Sequence, residues 1–112
     1  MRHCLDTLNF DGVCLFASYA GKFLGDPAFE PLMEELHRRE AVVFIHPAMH
    51  PSLGSVGLTY PGFMIEYPFD TTRAAVNLIF TRTLERYSRI RFILAHAGGV
   101  PSQERLAERA AR

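Results

Sequence analysis

The chain has 112 residues with 12 basic and 12 acidic side chains, so its formal net charge is zero, and 48% of its residues are apolar. These values are typical of one folded globular domain and argue against intrinsic disorder. No apolar run approaches the roughly 20 residues of a membrane span, and the N-terminus lacks the apolar core of a secretory signal. The balanced charge argues against electrostatic binding to nucleic acid or to a membrane. We therefore expect a cytoplasmic protein whose two cysteines, Cys4 and Cys14, are reduced packing residues.

Three short apolar runs predict β-strands that are buried on both faces, because they are continuous and rich in branched or aromatic residues. They cover about residues 12–17, 41–46 and 91–96.

Helices are predicted between and after these strands. The first begins at Asp26, which can cap it, and Pro27 suits its first position. The second runs from Asp70 or Thr71 to about Tyr87, and we expect Asp70 to act mainly as its cap. A third helix is predicted to open at 101–102, where proline is followed by serine.

The alternation of strands and helices predicts an α/β fold, in which parallel strands are joined by right-handed crossovers. Three strands cannot close a barrel, and strands that are apolar on both faces leave one sheet face and both edges without cover. The pattern favours a partial (β/α)₈ TIM-barrel segment with flanking helices, with residues 1–112 as a single segment. We expect its cover to come from self-association as a homo-oligomer or from the remainder of a barrel.

Two histidines stand out because each directly follows a predicted strand. His46 and His96 would lie at the carboxyl ends of neighbouring parallel strands, the face where active sites of barrels occur. Adjacent strands are about 4.8 Å apart, so the two imidazoles can converge on one ion or one substrate. Imidazole is a common ligand of first-row divalent metals.

A long segment from residue 47 to about 65 contains several glycines and prolines and has no clear period. Such a loop within a compact domain is usually functional. His50, Tyr60 and Tyr67 lie in or beside it and are candidates for lining a substrate pocket. Ser18 and Tyr19 end the first strand and face the same rim.

Six ordered runs of sequence resemble the amidohydrolase-related family, in the branch of aminocarboxymuconate-semialdehyde decarboxylase and the resorcylate-type decarboxylases. Three are short: Asp11–Val13 (DGV), Ser18–Tyr19 (SY) and Leu24–Pro27 (LGDP). The longer runs are Val42–Pro47 (VVFIHP), Tyr67–Ala74 (YPFDTTRA) and Phe92–Gly99 (FILAHAGG). The resemblance implies a (β/α)₈ barrel with a divalent metal, zinc or manganese, at the carboxyl ends of the strands. It equates His46 with a metal ligand and His96 with the histidine that orients or protonates the metal-bound water or the substrate.

The resemblance also implies an activity, either hydrolysis or non-oxidative decarboxylation by a carbon–carbon lyase, on a small-molecule carboxylic or aromatic acid. The family's first-strand His-x-His pair and last-strand aspartate are not found, and we expect them upstream of residue 1 and beyond residue 112. A catalytic zinc usually takes three protein ligands. The 112 residues alone are therefore predicted to be inactive.

One alternative from another class is a non-catalytic, self-associating α/β module in which His46 and His96 bind nothing strongly. Metal binding that is lost in His46→Ala would separate the two hypotheses. A small nucleotide-binding domain is disfavoured, because no glycine-rich phosphate loop follows the first strand.

Overall fold

The computed structural model describes residues 1–49, 57, 59 and 61–98. In chain order its helices and strands are β1 (Gly12–Phe16), β2 (Ser18–Tyr19), β3 (Lys22–Phe23), α1 (Glu30–Arg38), β4 (Val42–His46), α2 (Phe63–Phe80), α3 (Thr83–Arg86) and β5 (Arg91–Leu94). Single turns of π-helix (His3–Thr7) and 3₁₀-helix (Pro27–Phe29 and His96–Gly98) complete it.

The main sheet has the strand order β1-β4-β5, and both pairs of strands are parallel. Gly12 pairs with Val42, and Val42 pairs in turn with Arg91. The predicted parallel sheet, with α1 and then α2 and α3 between its strands, is confirmed, and the strand ends differ from the prediction by one or two residues.

One face of this sheet forms the hydrophobic core. Val43 and Ile45 of β4 pack against α1 and α2, in a cluster that includes Met33, Leu36 and Leu78. All five side chains are 2% exposed or less. Burying one such side chain contributes about 1.5–3 kcal/mol, so this face holds the helices on the sheet.

The opposite face of the sheet is exposed among the described residues. Because side chains alternate along a strand, this face carries Phe16, Phe44 and Ile93, which are 51%, 37% and 50% exposed. Cys14, which pairs with Phe44 in the strand register, is exposed on the same face. As expected, no described residue packs over this face of the sheet to bury these side chains.

The start of the first helical region follows the predicted capping. The side chain of Asp26 accepts a hydrogen bond of 2.9 Å from the backbone N–H of Ala28, and Pro27 opens the 3₁₀ turn that leads into α1. This contact satisfies one of the N–H groups left free at a helix start.

The prediction for the second helix is wrong at its start. α2 begins at Phe63, well before Asp70, and passes through Pro68; it ends at Phe80 before the separate α3. A proline inside a helix removes one backbone hydrogen bond and its ring crowds the preceding turn, yet α2 is helical on both sides of Pro68. Asp70 therefore lies inside the helix and does not cap it.

The segment after β1, where Ser18 and Tyr19 were expected to end the first strand, forms a small hairpin of its own. β2 and β3 pair antiparallel, and Ala20 and Gly21 between them have φ values of 49° and 78°. Two consecutive positive φ angles are those of a type I′ turn, which glycine favours. The Tyr19 hydroxyl accepts a hydrogen bond from the N–H of Phe16, so its ring folds back on β1.

The helix predicted to open at 101–102 lies outside the described residues. No helix in the described part of the chain is both long enough and apolar enough to cross a membrane.

Candidate active site

His46 is the last residue of β4 and lies at the carboxyl edge of the sheet. Its backbone carbonyl accepts a hydrogen bond of 2.9 Å from the N–H of Ala17, which extends the pairing of β1 with β4. The main chain of His46 is thus held by the sheet, while its half-buried side chain points to the face opposite Ile45.

The ring of His46 has a defined tautomer. Nδ1 lies 2.8 Å from the carbonyl oxygen of Pro47. A carbonyl oxygen only accepts hydrogen bonds, so Nδ1 must carry the proton. The neutral ring then keeps its lone pair on Nε2, the state in which imidazole binds a metal. Ligating histidines usually donate their other ring N–H in this way.

His96 follows β5 and opens a 3₁₀ turn. The N–H of Ala95 donates to the carbonyl of Ile45 at 3.1 Å, so the strand pairing continues up to the residue before His96. His96 itself has φ 52°, in the left-handed region that side-chain-bearing residues rarely adopt. Such backbone strain clusters at functional sites, where it aims a side chain.

The two imidazoles lie side by side, as the strand ends predicted. Their ring centroids are 5.7 Å apart with an interplanar angle of 66°. The ring of Tyr67, in the second turn of α2, lies 5.8 Å from each of them. The three rings form a triangle, and α2 contributes the third of them, the ring of Tyr67.

Asp70, one turn after Tyr67 on α2, also reaches this region. It is 3% exposed, and its Oδ2 accepts a hydrogen bond of 2.9 Å from the backbone N–H of Ala48, just beyond His46. Sequence reasoning missed this contact because it assigned Asp70 to a helix cap. The sequence places Asp70 one helical turn from Tyr67, within the same block, but gives no signal for its hydrogen-bond partner.

The remaining predicted site residues fall into two groups. His50 and Tyr60 lie outside the described residues. Ser18 and Tyr19 form the hairpin strand β2, and the Tyr19 ring contacts Phe16 and Phe29.

The described residues fit part of a metal site. In this part of the chain no group of three or more His, Cys, Asp or Glu side chains could hold a metal ion. Nε2 of His46, which carries the lone pair when the ring is neutral, has the chemistry of a ligand, with His96 beside it. Any further ligands would have to come from elsewhere than this part of the chain.

Comparison with known proteins decides the family, since residues 1–112 match the family model described as Amidohydrolase. The chain belongs to the amidohydrolase family. The resemblance inferred from the sequence is therefore confirmed. Among curated amidohydrolase relatives, the decarboxylase yanB of Aspergillus niger is 44% identical over 104 residues, covering 87% of this chain and 28% of that protein. The 6-methylsalicylic acid decarboxylase acuB of Aspergillus aculeatus is 42% identical over 101 residues, covering 88% of this chain and 31% of that protein.

The fold agrees with a solved amidohydrolase structure. The crystal structure of an amidohydrolase II superposes with a TM-score of 0.82 at 28% identity, covering 97% of this chain and 37% of that one. The predicted segment of a (β/α)₈ barrel is thereby confirmed. The chain spans about a third of the length of the curated relatives that it matches, 28% and 31% for the two named above.

Proposed function

We propose that the protein is a metal-dependent decarboxylase that removes the carboxylate of a small aromatic acid without oxidation. The observation that carries the proposal is the pairing of His46 and His96 at the strand ends, with their ring centroids 5.7 Å apart. The similarity to proteins named decarboxylases, including one named for 6-methylsalicylic acid, supports this reaction over hydrolysis.

The two histidines would have different roles. His46 would hold a divalent metal through Nε2, since Nδ1 is bonded to Pro47. Amidohydrolases are generally metal-dependent, and we propose zinc, with manganese as the alternative. When bound, such an ion supplies a Lewis acid that stabilises negative charge on the substrate.

His96 would act as the proton donor. Decarboxylation releases carbon dioxide and leaves an electron pair on the ring carbon, which must then be protonated. His96 is exposed at the same rim and would deliver that proton, then regain one from solvent. The substrate ring would stack near Tyr67, with His50 and Tyr60 as further proposed lining residues.

The test is decarboxylation of 6-methylsalicylic acid by the protein at its natural full length, measured as carbon dioxide release with and without a chelator. We expect activity that the chelator removes and zinc or manganese restores. His46→Ala should lose both metal and activity, while His96→Gln should keep the metal and lose about 10²–10⁴-fold in rate.

A matched control is His3→Gln, which changes an exposed histidine in the N-terminal turn. It should leave both metal content and rate unchanged. Unaltered activity in His46→Ala or in His96→Gln would contradict the roles proposed. Absence of both metal binding and turnover would favour the non-catalytic, self-associating module. A polypeptide of these 112 residues alone remains predicted to be inactive, because a catalytic zinc needs more ligands than two.

A further inference from the structure

The hydrogen bonds of His46 and Asp70 meet on one peptide group. The Pro47 carbonyl that accepts from His46 Nδ1 at 2.8 Å and the Ala48 N–H that donates to Asp70 Oδ2 at 2.9 Å belong to the same amide. The order of groups is therefore carboxylate, peptide N–H, peptide C=O and imidazole Nδ1–H.

We infer that Asp70 is a positioning residue for His46, acting through the Pro47–Ala48 peptide. The carboxylate fixes that peptide plane, and the peptide carbonyl fixes the tautomer and the orientation of the ring. The hydrogen bond of Asp70 goes to the Ala48 N–H and not to the imidazole. This role differs from helix capping, because the partner is the turn after β4, 22 residues away in sequence.

The surroundings strengthen each step. Asp70 is 3% exposed and Pro47 is less than 2% exposed, so water competes little for either hydrogen bond. Hydrogen bonds to an ionised acceptor are stronger than neutral ones. A chain of hydrogen bonds also polarises its members, so the charge on Asp70 makes the Pro47 carbonyl a better acceptor for Nδ1–H.

The arrangement places a carboxylate behind the histidine, with one peptide group between them. Where a carboxylate or carbonyl accepts the second N–H of a ligating histidine, it raises the basicity of the ligand, and its loss costs about 10–100-fold in metal affinity. The effect of Asp70 on metal affinity is the part of the inference that rests on the proposed function. The tautomer part does not.

The first test is imidazole ¹⁵N nuclear magnetic resonance of the metal-free protein, at an alkaline pH where an ordinary histidine is neutral. In the wild type we expect the proton of His46 on Nδ1. In Asp70→Ala it should move toward Nε2, because the peptide is no longer held. The control is Thr71→Val, which changes the adjacent, fully buried residue whose Oγ1 has no hydrogen-bond partner among the described residues. If the His46 ring of Asp70→Ala remains protonated on Nδ1, as in the control, the inference is wrong.

A second variant covers the case in which Asp70→Ala fails to fold. Asp70→Asn keeps the shape and an acceptor oxygen but removes the charge. The Nδ1–H resonance of His46 should then shift upfield and exchange faster with water, and an unchanged resonance would count against the inference.

Zinc titration of the same variants separates this inference from the proposed function. Asp70→Ala, or Asp70→Asn if the first does not fold, should bind zinc more weakly than Thr71→Val, by up to about 10–100-fold. Equal zinc affinity in the Asp70 variant and in Thr71→Val would show that Asp70 does not strengthen His46 as a metal ligand. If the wild type binds no zinc at all, the proposed metal site fails, whereas the tautomer result stands by itself.

Discussion

Phe44 and Ile93 occupy paired positions on neighbouring strands, and both side chains project from the sheet face on which the described part of the chain places no helix. Their exposed fractions are 37% and 50%. Water in contact with paired apolar side chains favours their burial against another surface. We predict that a polypeptide of these 112 residues self-associates through this face, as sedimentation velocity would detect.

Serine at both positions should shift that polypeptide toward the monomer. Phe80→Ser is the matched control, because Phe80 is 82% exposed but lies on α2, away from this face. It should leave association unchanged. A well-folded monomer of the unsubstituted polypeptide would show that the exposed face alone does not drive assembly.

The sheet could be predicted because its signals are local. Continuous runs such as Val42–Ile45 are short and apolar, and two of the three are followed by a histidine and a small turn. The same local rule misled the assignment of α2, since Asp70 or Thr71 was taken as its cap, whereas the helix begins at Phe63 and continues through Pro68. The hairpin of β2 and β3 was missed because strands of two residues show no alternation.

The candidate site was predictable in position but not in its supporting contacts. Strand ends placed His46 and His96 together because parallel strands end at one edge. The contact of Asp70 with the Ala48 N–H could not be predicted, because it depends on the angle at which α2 crosses the turn after β4. Local sequence patterns carry no information about such packing angles.

The Tyr67 ring is predicted to position both imidazoles, since it lies 5.8 Å from each. Tyr67→Ala should lower kcat/KM for an aromatic acid by about 10²-fold, the usual cost of small misplacements in an active site. Tyr67→Phe keeps the ring and should retain most of the rate. Val76→Ala, an exposed change on the same helix, serves as the control. Equal rates for Tyr67→Ala and Val76→Ala would rule out this role.

Gly25 is predicted to tolerate no side chain. A Cβ there would overlap Thr81 Oγ1 and lie 2.7 Å from Asn77 Oδ1, which accepts a 2.8 Å hydrogen bond from the Gly25 N–H. Gly25→Ala should therefore lower the free energy of unfolding by about 1–3 kcal/mol, the typical cost of overpacking. Gly57→Ala is the control, because a Cβ at Gly57 meets no atom of the described residues within 4 Å. Urea denaturation measures both, and equal midpoints would contradict the prediction.

Stability in acid is predicted to depend on Glu35. Hydrogen bonds from Arg38 and Arg39 lower the pKa of Glu35 from 4.5 to about 2. Arg39 also donates to Asp6, and this contact lowers the pKa of Asp6. A carboxylate whose pKa is lower in the folded state stabilises the fold above its unfolded pKa, and this contribution is lost as the pH falls toward the folded value.

Thermal unfolding measured from pH 7 downward should therefore show a melting temperature that falls between about pH 4.5 and about pH 2. Glu35→Gln should melt lower at neutral pH and lose less on acidification, because it has no carboxylate to protonate. Glu85→Gln is the matched control, since Glu85 pairs only with Arg82 among the described residues and is more exposed. High salt should reduce the difference at neutral pH, because these ion pairs lie near the surface. Parallel curves for the wild type and Glu35→Gln across this pH range would show that the cluster of Glu35, Arg39 and Asp6 does not couple protonation to folding.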